Sequence, residues 1–194
     1  MRVLVLHAHP VETSYNAALH QLITRTLAEH GHQIDDCDLY AEGFDPVLSR
    51  AERLDYHDTT TNQAPVQRYV DRLLAAEGIV FCFPVWCFGL PAMLKGWFDR
   101  VMLPGVSFVI SADGTVTPNL RHIRKVAVVT SYGRQRWVAW YTGDPPRKTF
   151  TRYFRRLIAK DGKVEYLAHY HMNVSTDVSR SRFMAKVQHA MERF

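Results

Sequence analysis

Continuous apolar runs alternate along this chain with stretches whose apolar residues recur every three or four positions, a pattern that predicts buried strands separated by amphipathic helices. A first strand is expected over residues 2–7, where Val3 to Leu6 is unbroken, and a helix over 15–30 with Ala18, Leu22, Ile23 and Leu27 on one stripe. Gly31 ends that helix. Residues 32–39 form a more polar strand, expected at a sheet edge, and 40–62 a long irregular connection. A helix over 66–77 leads into a strand at 79–83, a hairpin is expected within 106–118 around Asp113 and Gly114, and a buried strand over 124–130. A loop rich in Arg and Trp runs to Pro146, followed by a helix over 148–160, a strand over 164–171 and a closing helix over 175–194. Five principal strands separated by helices predict one α/β domain over 1–194: a doubly wound parallel sheet with helices on both faces.

The most informative stretch is 79–101, IVFCFPVWCFGLPAMLKGWFDRV, in which the hydrophobic period changes at a loop. The strand is expected to stop at Pro84, and a helix to restart at Pro91 with Leu90, Leu94, Phe98 and Val101 at helical spacing. Between them lies an aromatic turn at the carboxyl end of a strand, where open α/β sheets bind ligands. The glycine fingerprint GxGxxG is absent after the first strand; HAHPVETSYN stands there instead. Thr13, Ser14 and Asn16 at a helix start suit a phosphate, through free backbone N–H groups and the helix dipole, and they equally suit a simple cap by Ser14. The sheet order 2-1-3-4-5 brings this loop and the loop at 84–89 face to face at the switch point, one for phosphate and one for a flat ring.

The chain has 194 residues and a formal net charge of +5, which favours anionic ligands without specifying one. Three cysteines, Cys37, Cys82 and Cys87, without CxxC spacing, point to reduced thiols and a cytoplasmic protein. No apolar run reaches membrane-spanning length, and the N-terminal one is too short for a signal peptide. The pairs His7/His9 and His169/His171 lack a third ligand at suitable spacing, so no metal is expected. Cys87 has no basic neighbour in sequence and reads as a small pocket filler. The basic run from Arg147 to Lys160 is interleaved with an apolar stripe, the solvated back of a helix and not a nucleic-acid surface.

FPVWCFGLPAMLKGWFDRV together with HPxxTSYN resembles the DT-diaphorase-like NAD(P)H:quinone oxidoreductases, a family of flavodoxin-like flavoproteins. The resemblance implies that His9, Thr13, Ser14, Tyr15 and Asn16 hold the flavin phosphate and ribityl chain. It implies also that Pro84, Val85, Trp86, Cys87 and Phe88 line one edge of the ring, and that Thr130, Ser131, Tyr132 and Gly133 close the other side. FAD is the implied cofactor, with FMN as the alternative. NAD(P)H is the hydride donor, and quinones or azo and nitro compounds are the acceptors, in a ping-pong sequence on a homodimer. The chain departs from the family at Cys87, where Trp is usual, and at Tyr132, where a Gly-Gly turn begins. No His lies between His122 and His169, so the family's Tyr-His relay is missing and Tyr132 and Tyr141 are the catalytic candidates. Two other flavoprotein roles fit the resemblance: an electron carrier, which the basic charge disfavours, and an ancillary subunit of a membrane transporter.

Overall fold

The computed structural model describes residues 1–194. Five parallel strands form one sheet: β1 (Arg2–His7), β2 (Gln33–Asp38), β3 (Gly78–Val85), β6 (Lys125–Tyr132) and β7 (Lys163–His169), in the order β2-β1-β3-β6-β7. Two short strands, β4 (Phe108–Ile110) and β5 (Val116–Pro118), form a separate antiparallel hairpin. With the hairpin set aside, the order is the expected 2-1-3-4-5. Strand β1 pairs with both β2 and β3, so the crossovers diverge at its carboxyl end and open a crevice there.

Alternation along each strand sends side chains to two cores. Val3, Val5, Val80, Cys82, Ala127 and Val129 face α1 (Tyr15–Glu29) and α8 (Asp177–Glu192). Leu4, Leu6, Ile79, Phe81, Phe83, Val126 and Val128 face α3 (Gln67–Ala75), α4 (Ala92–Val101) and the helical stretch after residue 145. In that second core Phe81 meets the rings of Trp97, Phe98, Phe150 and Phe154 at centroid distances of 6.3, 5.8, 4.7 and 5.4 Å.

Four local expectations are corrected. Strand β3 does not stop at Pro84; it continues to Val85, with Pro84 paired to Ser131. Cys82 O faces β1, where it accepts from the Ala8 N–H, so the missing N–H of Pro84, two residues on, falls on the side where β1 has already ended. The connection at 40–62 contains α2 (Arg50–Asp55), begun by a Ser49/Glu52 capping box that the sequence displays. The Arg/Trp loop contains α5 (Arg136–Tyr141). Finally, the helix expected over 148–160 is instead α6 (Pro145–Lys148), a π-helical segment Thr149–Phe154 and α7 (Arg155–Leu157). Thr149 and Thr151 donate their hydroxyls to the carbonyls four residues back, a back-bond that bends helices. Ile158 is already extended and bridges to Leu120.

Candidate functional site

The loops after β1, β3 and β6 meet at the carboxyl edge of the sheet around a cleft of about 270 Å³. Its walls include His9, Ser14, Tyr15 and Asn16 from the first loop, Pro84, Val85 and Trp86 from the second, and Ser131 and Gly133 from the third. Cys87, Phe88 and Tyr132 line an adjoining hollow of about 160 Å³, which shares Val85 and Gly133 with the cleft. A larger groove of about 840 Å³ runs along α4 and touches the aromatic turn only at Gly89 and Leu90. Position at the switch point, not size, makes the smaller cleft the candidate site.

Ser14 is the cap of α1, its hydroxyl accepting from Ala17 N–H at 3.0 Å. That bond leaves the N–H groups of Tyr15 and Asn16 without an intrahelical partner, because the first turn of a helix has none to offer them. A cap by Ser14 therefore leaves two donors free for an anion. His9 Nδ1 accepts from Val11 N–H at 3.0 Å. The ring stands 5.8 Å from that of Trp86, which links the two loops. Tyr15 donates its hydroxyl to the Arg180 carbonyl at 3.0 Å, tying the first loop to the start of α8, and burial pushes the phenol up to about 12.

The aromatic turn is strained. Cys87 and Phe88 both have positive φ, 49° and 57°, between reciprocal backbone hydrogen bonds of Trp86 and Gly89 at 3.3 and 2.8 Å. Two left-handed residues in a closed two-residue loop are the signature of a type I′ turn, which normally takes Asn and Gly. Cys87 is exposed at the tip, on the rim of the adjoining hollow. Left-handed backbone costs roughly 1–2 kcal/mol at a non-glycine residue, so Cys87→Gly is expected to stabilise the protein by about 1 kcal/mol and to raise Tm by roughly 2–4 °C. An unchanged or lower Tm in a thermal scan would remove strain from the account of this turn.

Not every expected residue reaches the cleft. Thr13 is exposed on the loop, outside the lining, and Thr130 lies buried beneath with its Oγ1 unpartnered. Tyr132 is 2% exposed, and its hydroxyl donates to Asp144 Oδ1 at 2.6 Å and lies 2.7 Å from that of Tyr166. Burial, with Tyr166 and Asp144 beside it, pushes this phenol far above its ordinary value. Arg147 holds the other Asp144 oxygen at 3.0 Å and Tyr170 at 2.9 Å, completing a network that anchors the third loop from below. Tyr141 is 78% exposed and outside both hollows. His169 packs between Tyr15 and Phe183, and burial lowers its pKa.

Met172 and Asn173, which the sequence did not single out, close the cleft from the segment after β7. A Cβ at Gly133 would lie 2.9 Å from Asn173 Oδ1, so the bare glycine lets the two segments meet. Their signal was available only as position: any segment leaving the carboxyl edge of this sheet borders the same crevice.

Against known proteins, NAD(P)H dehydrogenase [quinone] 1 of Rattus norvegicus is 32% identical over 123 residues, 55% of this chain and 45% of the rat protein. The chain thus spans about half the length of that relative. Among solved structures, an NAD(P)H:quinone oxidoreductase from Methanothermobacter marburgensis is 26% identical with a TM-score of 0.83, covering 99% of this chain and 98% of that one. A Streptococcus mutans protein superposes with a TM-score of 0.86 at 24% identity over the full length of both chains. The family characterised by the flavodoxin-like fold matches residues 1–194, end to end with the sheet order and switch-point cleft described above, and the chain belongs to that family.

Proposed function

We propose that this protein is a flavin-dependent NAD(P)H oxidoreductase that carries out two-electron reduction of quinones and similar flat acceptors, azo and nitro compounds included, in a ping-pong sequence. The observation that carries the reading is a single cleft with free helix N–H groups at one end and an aromatic turn at the other. The similarity to the Methanothermobacter enzyme over nearly the whole of both chains supports it.

The residues present fit a flavin. Asn16 lines the cleft and has a buried amide Nδ2 with no partner, a donor whose desolvation a ligand would offset. When bound, the flavin would supply acceptance of hydride from a nicotinamide and its delivery to the acceptor. The protein's part is orientation. Backbone N–H groups of Tyr15 and Asn16 and the His9 imidazole would hold its phosphate. Backbone groups of 84–88 and of 131–133 would hold the ring, and the half-exposed Trp86 indole offers a stacking face. Neither candidate tyrosine delivers a proton within one chain. Tyr132 is a positioning residue, and Tyr141 serves only a cleft on a second copy, so the acceptor's proton comes from solvent in the open cleft.

FAD is the form we favour over FMN, because the TSYN loop and the FPVWCFGLP segment look closest to FAD-binding members of the family. A homodimer is supported by Trp137, Trp140 and Tyr141, 66%, 78% and 78% exposed on α5, a contiguous aromatic surface unusual on a monomer. No helix is long and apolar enough to cross a membrane. The buried free thiols Cys37 and Cys82 support a reducing, cytoplasmic setting.

The test is anaerobic. Flavin bands should bleach on addition of NADPH or NADH and return with a quinone, and the flavin released on denaturation identifies FAD or FMN. Asn16→Leu removes the orphan donor. It is expected to leave the flavin-free protein as stable or about 1 kcal/mol more so, yet to weaken flavin binding roughly tenfold. A protein that binds no flavin, or that binds it without turnover, would end the reading.

A further inference from the structure

A second cleft, of about 370 Å³, lies behind the phosphate loop, between the carboxyl ends of β1 and β2 and the second turn of α1. Its walls include His7, His9, Glu12, His20 and Asp38 and no Lys or Arg, an acidic hollow in a chain of net charge +5. His7 is 2% exposed and His20 9%. One donor atom from each of His7, His20 and Asp38 lies within 4.8 Å of the others.

We propose that His7, His20 and Asp38 form a binding site for a divalent transition-metal cation of the zinc class. Two imidazole nitrogens and a carboxylate oxygen are the donor set such ions take, with further positions open to water. His7 Nδ1 and Asp38 Oδ2 are 3.1 Å apart, close to the roughly 3.3 Å that separates two ligands of one tetrahedral ion at 2.0–2.1 Å. An ion replaces the proton they share. The outer partners are in place. Asp36 Oδ1 holds His20 Nε2 at 2.7 Å, leaving the other ring nitrogen for the cation, and the backbone N–H groups of Tyr40 and Ala41 hold Asp38 Oδ1 at 3.0 and 3.1 Å.

The two imidazoles now stack in parallel planes with centroids 4.3 Å apart. Lone pairs lie in the ring plane, so parallel rings cannot aim at one ion, and binding turns His20 out of the stack with the half-exposed Asp36 carboxylate following its Nε2–H. The ion then joins β1, α1 and β2 at the root of the loop that carries His9 and Ser14. No spacing along the chain reveals this set, because the three ligands come from three elements.

The experiment uses chelator-treated full-length protein titrated with Co²⁺, followed by its visible d–d absorption, and with Zn²⁺ as competitor. One equivalent per chain is expected, and saturating Zn²⁺ raises Tm. His20→Ala should lower the affinity more than tenfold and abolish the Tm rise. Asp36→Asn, which keeps a weaker acceptor but removes the charge behind His20, should lower the affinity about tenfold. His30→Ala and His189→Ala, at exposed positions, should change nothing. Absence of a cobalt spectrum in the wild type, or wild-type affinity in His20→Ala, overturns the site. So does loss of binding in the His30 or His189 variants. None of these readouts depends on flavin or on turnover.

Discussion

Gly96→Ala is expected to destabilise the protein by about 2 kcal/mol, although the same change in an exposed helix interior gains roughly 1 kcal/mol. An added Cβ at Gly96, in the middle of α4, would overlap the Pro46 carbonyl oxygen, Cα and Cβ at once. These are backbone and a rigid ring, with no rotamer to yield. Overpacking typically costs 1–3 kcal/mol, and here it exceeds the helical gain because α4 or the 45–47 segment must move as a whole. Tm should fall by roughly 4–8 °C for a chain of this length. Since α4 starts three residues after the aromatic turn, its displacement should also speed flavin loss. A Tm equal to or above that of the wild type would show that the 40–62 connection gives way freely.

Arg100→Met should cost about 3 kcal/mol at neutral pH, with a penalty that shrinks toward acid pH. The Arg100 and Glu52 side chains are 9% and 10% exposed, and the guanidinium donates to Glu52 Oε1 from Nε at 2.7 Å and to the Asp45 carbonyl. Removing one partner of a buried pair leaves the other charge desolvated, a loss of roughly 3–5 kcal/mol. Burial pushes the Glu52 carboxyl up, but hydrogen bonds from Ser49 and Arg100 outweigh it and hold the group below its ordinary value of 4.5. A depressed folded pKa contributes stability above the unfolded value, and that contribution is lost as pH falls through the folded one. In Arg100→Met the Ser49 bonds remain but the contribution of Arg100 is gone, so Glu52 shifts upward and its charged form stabilises the fold less at neutral pH. The destabilisation should therefore be smaller near pH 4 than near pH 7 in urea unfolding. Glu52→Gln in the Arg100→Met background should recover part of it. A penalty equal at both pH values would mean lost packing, not charge, is the cause.

Residue patterns carried the fold a long way. The runs at 3–6, 79–83 and 126–129 are buried strands, the polar run at 33–38 is the edge strand, and Gly31, with φ of 79°, ends α1 as expected. The elements that escaped are short. Helix α2 had its capping box in plain view, but six residues carry too few apolar positions for a period to emerge. The π-helical turn at 149–154 arises from threonine back-bonds and from the docking of Ile158 on Leu120, and helical spacing alone continues through both. At the cleft, Ser14, Asn16 and the turn at 84–89 were legible because they follow strands whose carboxyl ends the pattern locates, whereas His9 and Tyr15 came only from the family resemblance. Met172 and Asn173 were not, since nothing in their own sequence marks them.

By itself, then, the sequence determined the strands, their order by analogy of pattern, and the two loops that face one another, because hydrophobic period and turn chemistry are local properties of the chain. Only the tertiary structure decided that Tyr132 turns its hydroxyl away to Asp144, that Cys87 sits strained and exposed at a turn tip, that Gly96 lies against Pro46, and that His7 meets His20 and Asp38. Each of these depends on contacts between residues far apart in sequence, fixed by sheet register and helix docking, and no local pattern encodes which way a side chain turns once it arrives there.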